Sequence, residues 1–177
     1  KVGIVGLGSI GFDVGSRIDQ GIENFKLVGV SSRNQENVLK KISSFKNKPP
    51  FLNLDELCKK SDVILDCAPK EAFKSILQNC LLNKTKLITI SGSGILENFE
   101  LVKNANKSKI QVVLASGAIL GLDGLRAASE GTIYSVKMIT TKPPNALASA
   151  KYVLENKITL ENLSEKKLIF NGSAKDG

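Results

Sequence analysis

Histidine and tryptophan are absent from the 177 residues, and methionine occurs once. Without histidine, the usual zinc ligand sets cannot be assembled, and no metal site is expected. Cysteine is scarce as well: Cys58, Cys67 and Cys80 form no C-x-x-C pair and are odd in number. That pattern argues against a disulfide scaffold and suits a reducing compartment, so a cytoplasmic location is expected. Cys67 closes an apolar run, where packing is its expected role. Long apolar runs are missing too. Val63-Ile64-Leu65 and the stretch Ile110 to Ala115 fall far short of the roughly 20 residues a membrane span needs, and no membrane partner is expected. Lys1 leads directly into a short strand, without the charged-then-apolar pattern of a secretory leader. The chain lacks an initial Met and stops at Asp176-Gly177, so it reads as a fragment.

Arginine is also rare. The formal charge is +8, yet only Arg17, Arg33 and Arg126 are arginine. The lysines come in scattered pairs such as Lys40-Lys41, Lys59-Lys60 and Lys166-Lys167. No aromatic side chains interleave with them to stack bases, so a solvated surface is expected rather than a nucleic-acid partner. What remains is an ordinary globular composition, 42% hydrophobic and 24% charged, with enough length for one full domain and the beginning of a second.

The chain alternates between strand and helix. Val2 to Val5 is a short apolar strand, and Gly6 to Gly11 is a glycine loop. Ile10, Val14 and Ile18 then recur at helical spacing to about Gln20. Further strands are expected at Leu27 to Val30, Val63 to Cys67, Leu87 to Ile90 and Ile110 to Leu114, with Ser91-Gly92-Ser93-Gly94 as the loop after the third of these. Helices are expected at Asn34 to Ile42, at Asp55 to Lys60, from Pro69 to about Cys80, and over about Asn98 to Asn106. The order implies an α/β fold, a Rossmann-type doubly wound parallel sheet with helices on both faces. After Leu114 the texture changes. Ala115 to Leu125 is rich in Gly and Ala, and Ile133 to Thr141 alternates as a strand with one covered face would. A dinucleotide-binding domain over 1–115 and the start of an α+β substrate or dimerisation domain over 116–177 are therefore expected.

Gly6-Leu7-Gly8-Ser9-Ile10-Gly11 matches G-x-G-x-x-G, and it follows a strand and opens a helix. Gly6 permits the tight turn, Gly8 lets backbone approach a pyrophosphate, and Gly11 allows close helix–strand packing. With Ser9 and Ile10 they supply N–H groups at a helix N-terminus, a site for phosphate. At the end of the second strand, an acidic residue would bind a ribose 2′-hydroxyl and favour NAD. Ser31-Ser32-Arg33 stands there instead. Ser32 can donate to a 2′-phosphate and Arg33 can pair with it through two parallel bonds. These residues argue for NADP, or for tolerance of both NADP and NAD. Arg33 as a plain solvated residue at a helix start is the alternative. Ala68, Ser91, Gly117 and Ala118 follow later strands, where small residues leave room for a flat nicotinamide ring.

The segment Ser116-Gly117-Ala118-Ile119-Leu120-Gly121-Leu122-Asp123-Gly124-Leu125 resembles a signature of L-aspartate dehydrogenases. Thr140-Thr141-Lys142-Pro143-Pro144 and Phe170-Asn171-Gly172-Ser173-Ala174 are similar to two later landmarks of that family. The resemblance runs from the glycine loop to Gly177. It implies NAD(P)-dependent oxidation of L-aspartate to iminoaspartate, feeding the quinolinate route to NAD, in a homodimer. It also implies that Ala118 contacts the nicotinamide cofactor. The family's catalytic histidine and a cofactor-binding asparagine come after the last landmark, so no catalytic residue is expected in this chain, which should bind nucleotide but turn over poorly. Lys142 is a candidate contact for a substrate carboxylate or a proton-relay member, or simply a lysine before a rigid turn. Asp123 is expected to cap or pair with a helix. Two other readings stay open: another two-domain NADP-dependent oxidoreductase, dihydrodipicolinate-reductase-like or sugar-dehydrogenase-like, and a non-catalytic NAD(P)-binding regulatory module.

Overall fold

The computed structural model describes residues 1–116, 121–148, 150–173 and 176. The chain divides into two units, Lys1–Leu120 and Gly121–Gly177.

The first unit is built on five strands: β1 (Val2–Val5), β2 (Leu27–Ser31), β3 (Val63–Asp66), β4 (Lys86–Thr89) and β5 (Val112–Leu114). All pairings are parallel, and the spatial order is β2-β1-β3-β4-β5. Parallel strands need crossovers, and helices supply them. They are α1 (Ser9–Gly21), α2 (Gln35–Ile42), α3 (Leu54–Lys60), α4 (Phe73–Asn83), α5 (Gly92–Glu97) and α6 (Phe99–Lys107). Neighbouring strand residues enter different clusters, as the two-residue period of a strand requires. Ile4 packs with Leu7, Ile18, Val30, Val38, Ile42 and Phe45. Val5 and Ile64 pack with Leu57, Phe73, Ile76, Leu77 and Leu87. Two cores of this kind are what a sheet covered on both faces produces.

Most expected elements stand within two residues of their expected ends, the usual scatter of helix and strand termini. Asn34 caps α2 as expected, its side chain accepting from the Asn37 N–H at 3.0 Å. Three expectations are corrected. The helix expected from Pro69 opens as a 3-10 turn at Lys70–Ala72 before α4 begins. Ser91-Gly92-Ser93-Gly94, expected as a loop, contains the start of α5, because the Ser91 hydroxyl accepts from the Gly94 N–H and caps the turn. The strand expected at Ile133 to Thr141 does not form: these residues carry no ladder. A strand needs a partner for its N–H and C=O groups, and no neighbour offers one among the described residues of this unit.

The second unit holds α7 (Leu122–Ala128), α8 (Pro144–Leu147) and α9 (Lys151–Glu155). Asp123 sits in the first turn of α7, where a negative charge suits the helix dipole. Tyr152 meets Phe170 edge to face, with ring centroids 5.3 Å apart. Among its described residues only Val153 is buried and hydrophobic.

Candidate functional site

The winding of the sheet locates a crevice. From β1 the chain passes to β2 on one side, and Phe51 bridges to Val30 beyond it. It then returns to β3 on the other side of β1. Loops leaving β1 and β3 therefore diverge at a topological switch point, where ligands of open α/β sheets bind.

The glycine loop fills this point. Gly6 has φ +87°, a conformation glycine adopts without penalty, and a Cβ there would stand 2.7 Å from the Ala68 nitrogen and the Cys67 oxygen. A Cβ on Gly11 would collide with the Gly6 carbonyl oxygen and press on Cys67. Both residues are thus required by packing. Gly8 differs. It is exposed, it is the N-cap of α1, and a Cβ added to it would meet nothing within 4 Å. Its neighbours Ser9 and Ile10 are exposed as well. No side chain caps α1, so its first-turn N–H groups have no capping acceptor. Such a cradle accepts a diphosphate, and these residues fit a dinucleotide.

The other expected site residues are distributed as follows. Ser32 is half-buried and Arg33 exposed just past the end of β2. Ala68 and Ser91 follow β3 and β4 on the opposite side of β1. Gly117 and Ala118 lie outside the described residues. Lys142 is exposed in the second unit, directly before the Pro143 cap of α8.

Two groups go beyond the sequence expectations. Lys41, expected with Lys40 as solvated surface, is half-buried, and its Nζ donates to the Leu7 carbonyl at 2.7 Å. It ties α2 to the glycine loop. The available signal is helical spacing: Val38, Lys41 and Ile42 stand at i, i+3 and i+4, and both apolar members are buried. The second group is Asp66, buried at the end of β3. Its Oδ1 accepts from the Ala68 N–H at 3.0 Å and its Oδ2 from the Thr89 hydroxyl at 2.7 Å. Thr89 in turn accepts from the Ser91 N–H at 2.9 Å. Burial pushes the Asp66 pKa above the usual carboxylate range, against the two hydrogen bonds that favour the charged form. The signal is a carboxylate ending an otherwise apolar strand. Next to it, burial and the Asp66 charge raise the Cys67 thiol to about 11.

Two family models match the chain. "Homoserine dehydrogenase, NAD binding domain" covers residues 6–115, and "Aspartate dehydrogenase, C-terminal" covers residues 123–177. The chain is 33% identical to the L-aspartate dehydrogenase of Bradyrhizobium diazoefficiens over 99% of its own length and 62% of that protein. It is 30% identical to the L-aspartate dehydrogenase of Methanococcoides burtonii, over 99% of its own length and 66% of that protein. The chain thus spans a little under two thirds of the length of these relatives. Among solved structures it is similar in fold to a probable dehydrogenase from Thermotoga maritima, with TM-score 0.57 and 15% identity, covering 73% of this chain and 40% of that one. The scyllo-inositol dehydrogenase of Lactobacillus casei with bound NAD(H) matches with TM-score 0.56 and 14% identity, over 73% of this chain and 40% of that one. Likeness at this level of identity reports the fold alone.

Proposed function

Since this chain belongs to the L-aspartate dehydrogenase family, we propose that it is the cofactor-binding part of an enzyme that oxidises L-aspartate to iminoaspartate with NADP or NAD. The observation that carries the reading is the open cradle over Gly8, set in a chain matched along nearly all its length by L-aspartate dehydrogenases. When bound, the nicotinamide supplies the acceptor for a hydride from the substrate α-carbon. The residues of this chain bind and orient. N–H groups of Gly8, Ser9, Ile10 and Gly11 hold the diphosphate. Ser32 and Arg33 meet the adenosine ribose, and their hydroxyl and guanidinium groups favour a 2′-phosphate. Ala68, Ser91, Gly117 and Ala118 leave room for the nicotinamide ring. Lys142 is the proposed contact for a substrate carboxylate in the whole enzyme. The enzyme is proposed to be a cytoplasmic homodimer whose product feeds quinolinate synthesis.

Calorimetric titration with NADP and with NAD tests the reading. Tighter binding of NADP is expected, with the preference lost in Arg33→Ala. Loss of one bidentate charge-assisted pair should weaken NADP by about tenfold and leave NAD within about twofold. Equal weakening of both cofactors would remove Arg33 from the 2′-phosphate. Failure of both cofactors to bind would remove the proposal.

A further inference from the structure

We propose that Asp66 is a positioning residue for the nicotinamide half of the dinucleotide, an inference that rests on the dinucleotide-binding reading above. The carboxylate is 1% exposed and contacts no open space of its own. It works through the loops that do. One oxygen fixes the Ala68 N–H and the other fixes the Thr89 hydroxyl. Thr89, itself fully buried, holds the Ser91 N–H, and the Ser91 hydroxyl caps α5. A single side chain therefore sets the exits of both β3 and β4. The same turn is also the wall behind the glycine loop, since the Cys67 oxygen and the Ala68 nitrogen are the nearest atoms to any Cβ at Gly6.

Which half of the ligand these exits serve follows from topology. The diphosphate sits at the N-terminus of α1, and the adenosine ribose lies toward the end of β2. Strand β2 flanks β1 on one side, and β3 and β4 lie on the other. The remaining half of the dinucleotide must run over the exits of β3 and β4. A buried carboxylate costs stability that an apolar side chain would not. Its chemistry supplies a reason for its presence: it accepts from an N–H and an O–H at once. An amide of the same shape cannot, because its NH2 end faces one of the two donors.

The test separates the two halves of the ligand. The full 177-residue chain, Asp66→Asn and Thr89→Val are titrated with NAD and with ADP, and with NADP and 2′-phospho-ADP. Asp66→Asn is expected to weaken the whole dinucleotide by about tenfold, because the exits of β3 and β4 are no longer held in the geometry that receives its nicotinamide half and must be ordered on binding. Affinity for the adenosine diphosphate half should stay within about twofold. Thr89→Val should act in the same direction, and Thr89→Ser, which keeps the hydroxyl, should restore binding. If Asp66→Asn fails to fold, the Thr89 pair decides. Equal weakening of dinucleotide and half-ligand, or no change in either, overturns the proposal. An unmodified chain that binds no nucleotide overturns the dinucleotide reading itself, a result distinct from either of these.

Discussion

Val63–Asp66 in the first unit and residues 133–139 in the second are both short, apolar-rich and extended in sequence character. Their fates differ. β3 pairs with β1 on one side and β4 on the other, and Ile64 is fully buried. In the second segment Ile133, Tyr134, Val136, Met138 and Ile139 are all exposed, Tyr134 at 94%, and no ladder forms. Alternation of side chains describes what a segment could bury, not what it meets. A strand exists only when another strand takes up its backbone groups, which is why strand preference depends so strongly on context. The first unit carries five such segments that satisfy each other in one continuous order. Among its described residues, the second carries one such segment and three short helices.

The widest test of that contrast compares core truncations. Phe73 is fully buried between α4 and the sheet, and a Cβ on Gly94 would press against its ring. Phe73→Ala is expected to destabilise the first unit by about 3–5 kcal/mol. Tyr134→Ala in the second unit should change stability by less than about 0.5 kcal/mol. Urea denaturation followed by far-ultraviolet circular dichroism measures both. A Tyr134 effect approaching that of Phe73 would break the comparison, because it would mean that the exposed segment is packed in solution.

A narrower test lies in the glycine loop. Gly11→Ala forces its new methyl group against the Gly6 carbonyl. The helix must move off the strand, costing about 1–3 kcal/mol by overpacking and abolishing tight nucleotide binding. Gly124→Ala, in the second unit, meets nothing within 4 Å and lies inside α7. It should stabilise slightly, by about 0.5–1 kcal/mol, through helix propensity. The two substitutions are chemically identical, so opposite signs in thermal melting isolate the environment as the cause.

The first unit is legible in sequence because its signals are local and mutually consistent. An apolar strand, a glycine turn and a helical stripe follow one another within Val2 to Ile18, and each fixes the next. Asn34 marks the start of α2 through its own side chain. The features that sequence does not reveal are long-range. Whether Ile133 to Thr141 forms a strand depends on a partner that no local pattern names. That Lys41 reaches Leu7, 34 residues away in sequence, and that Asp66 reaches Thr89, 23 away, depends on the fold having already formed. Ser91 is hidden for another reason: a glycine-rich run reads as a loop, and the cap that converts it to helix is a single hydroxyl.

Acid sharpens the comparison of charged groups. Asp66 has its pKa raised by burial, so its unfolded form ionises first as pH rises. Its charge costs stability that is fully felt above the folded pKa and relieved as pH falls through that value. Asp55 is half-buried and shifted downward, chiefly by the hydrogen bond from Lys59. Its stabilisation is present above the ordinary carboxylate range and lost as pH falls through its folded value. Subtracting the pH–stability profile of Asp66→Asn from that of the parent chain should therefore leave a difference that favours the parent on acidification. A difference of opposite sign would mean that the two hydrogen bonds, rather than burial, dominate at Asp66.

The smallest expected effect uses the cysteines, all three of which lie in the first unit. Thiol alkylation therefore reports that unit alone. Cys58 and Cys80 are buried, whereas Cys67 is only partly covered beside the glycine loop. With its pKa near 11, Cys67 holds little thiolate at neutral pH and should react far more slowly than a free thiol, accelerating as pH rises toward that value. Phe73→Ala should speed labelling of Cys58 and Cys80 by raising the population of open forms, while Tyr134→Ala should leave all three rates unchanged. Mass spectrometry of labelled peptides resolves the sites. Faster labelling in Tyr134→Ala would break the comparison, because it would mean that the exposed segment contributes to stability after all.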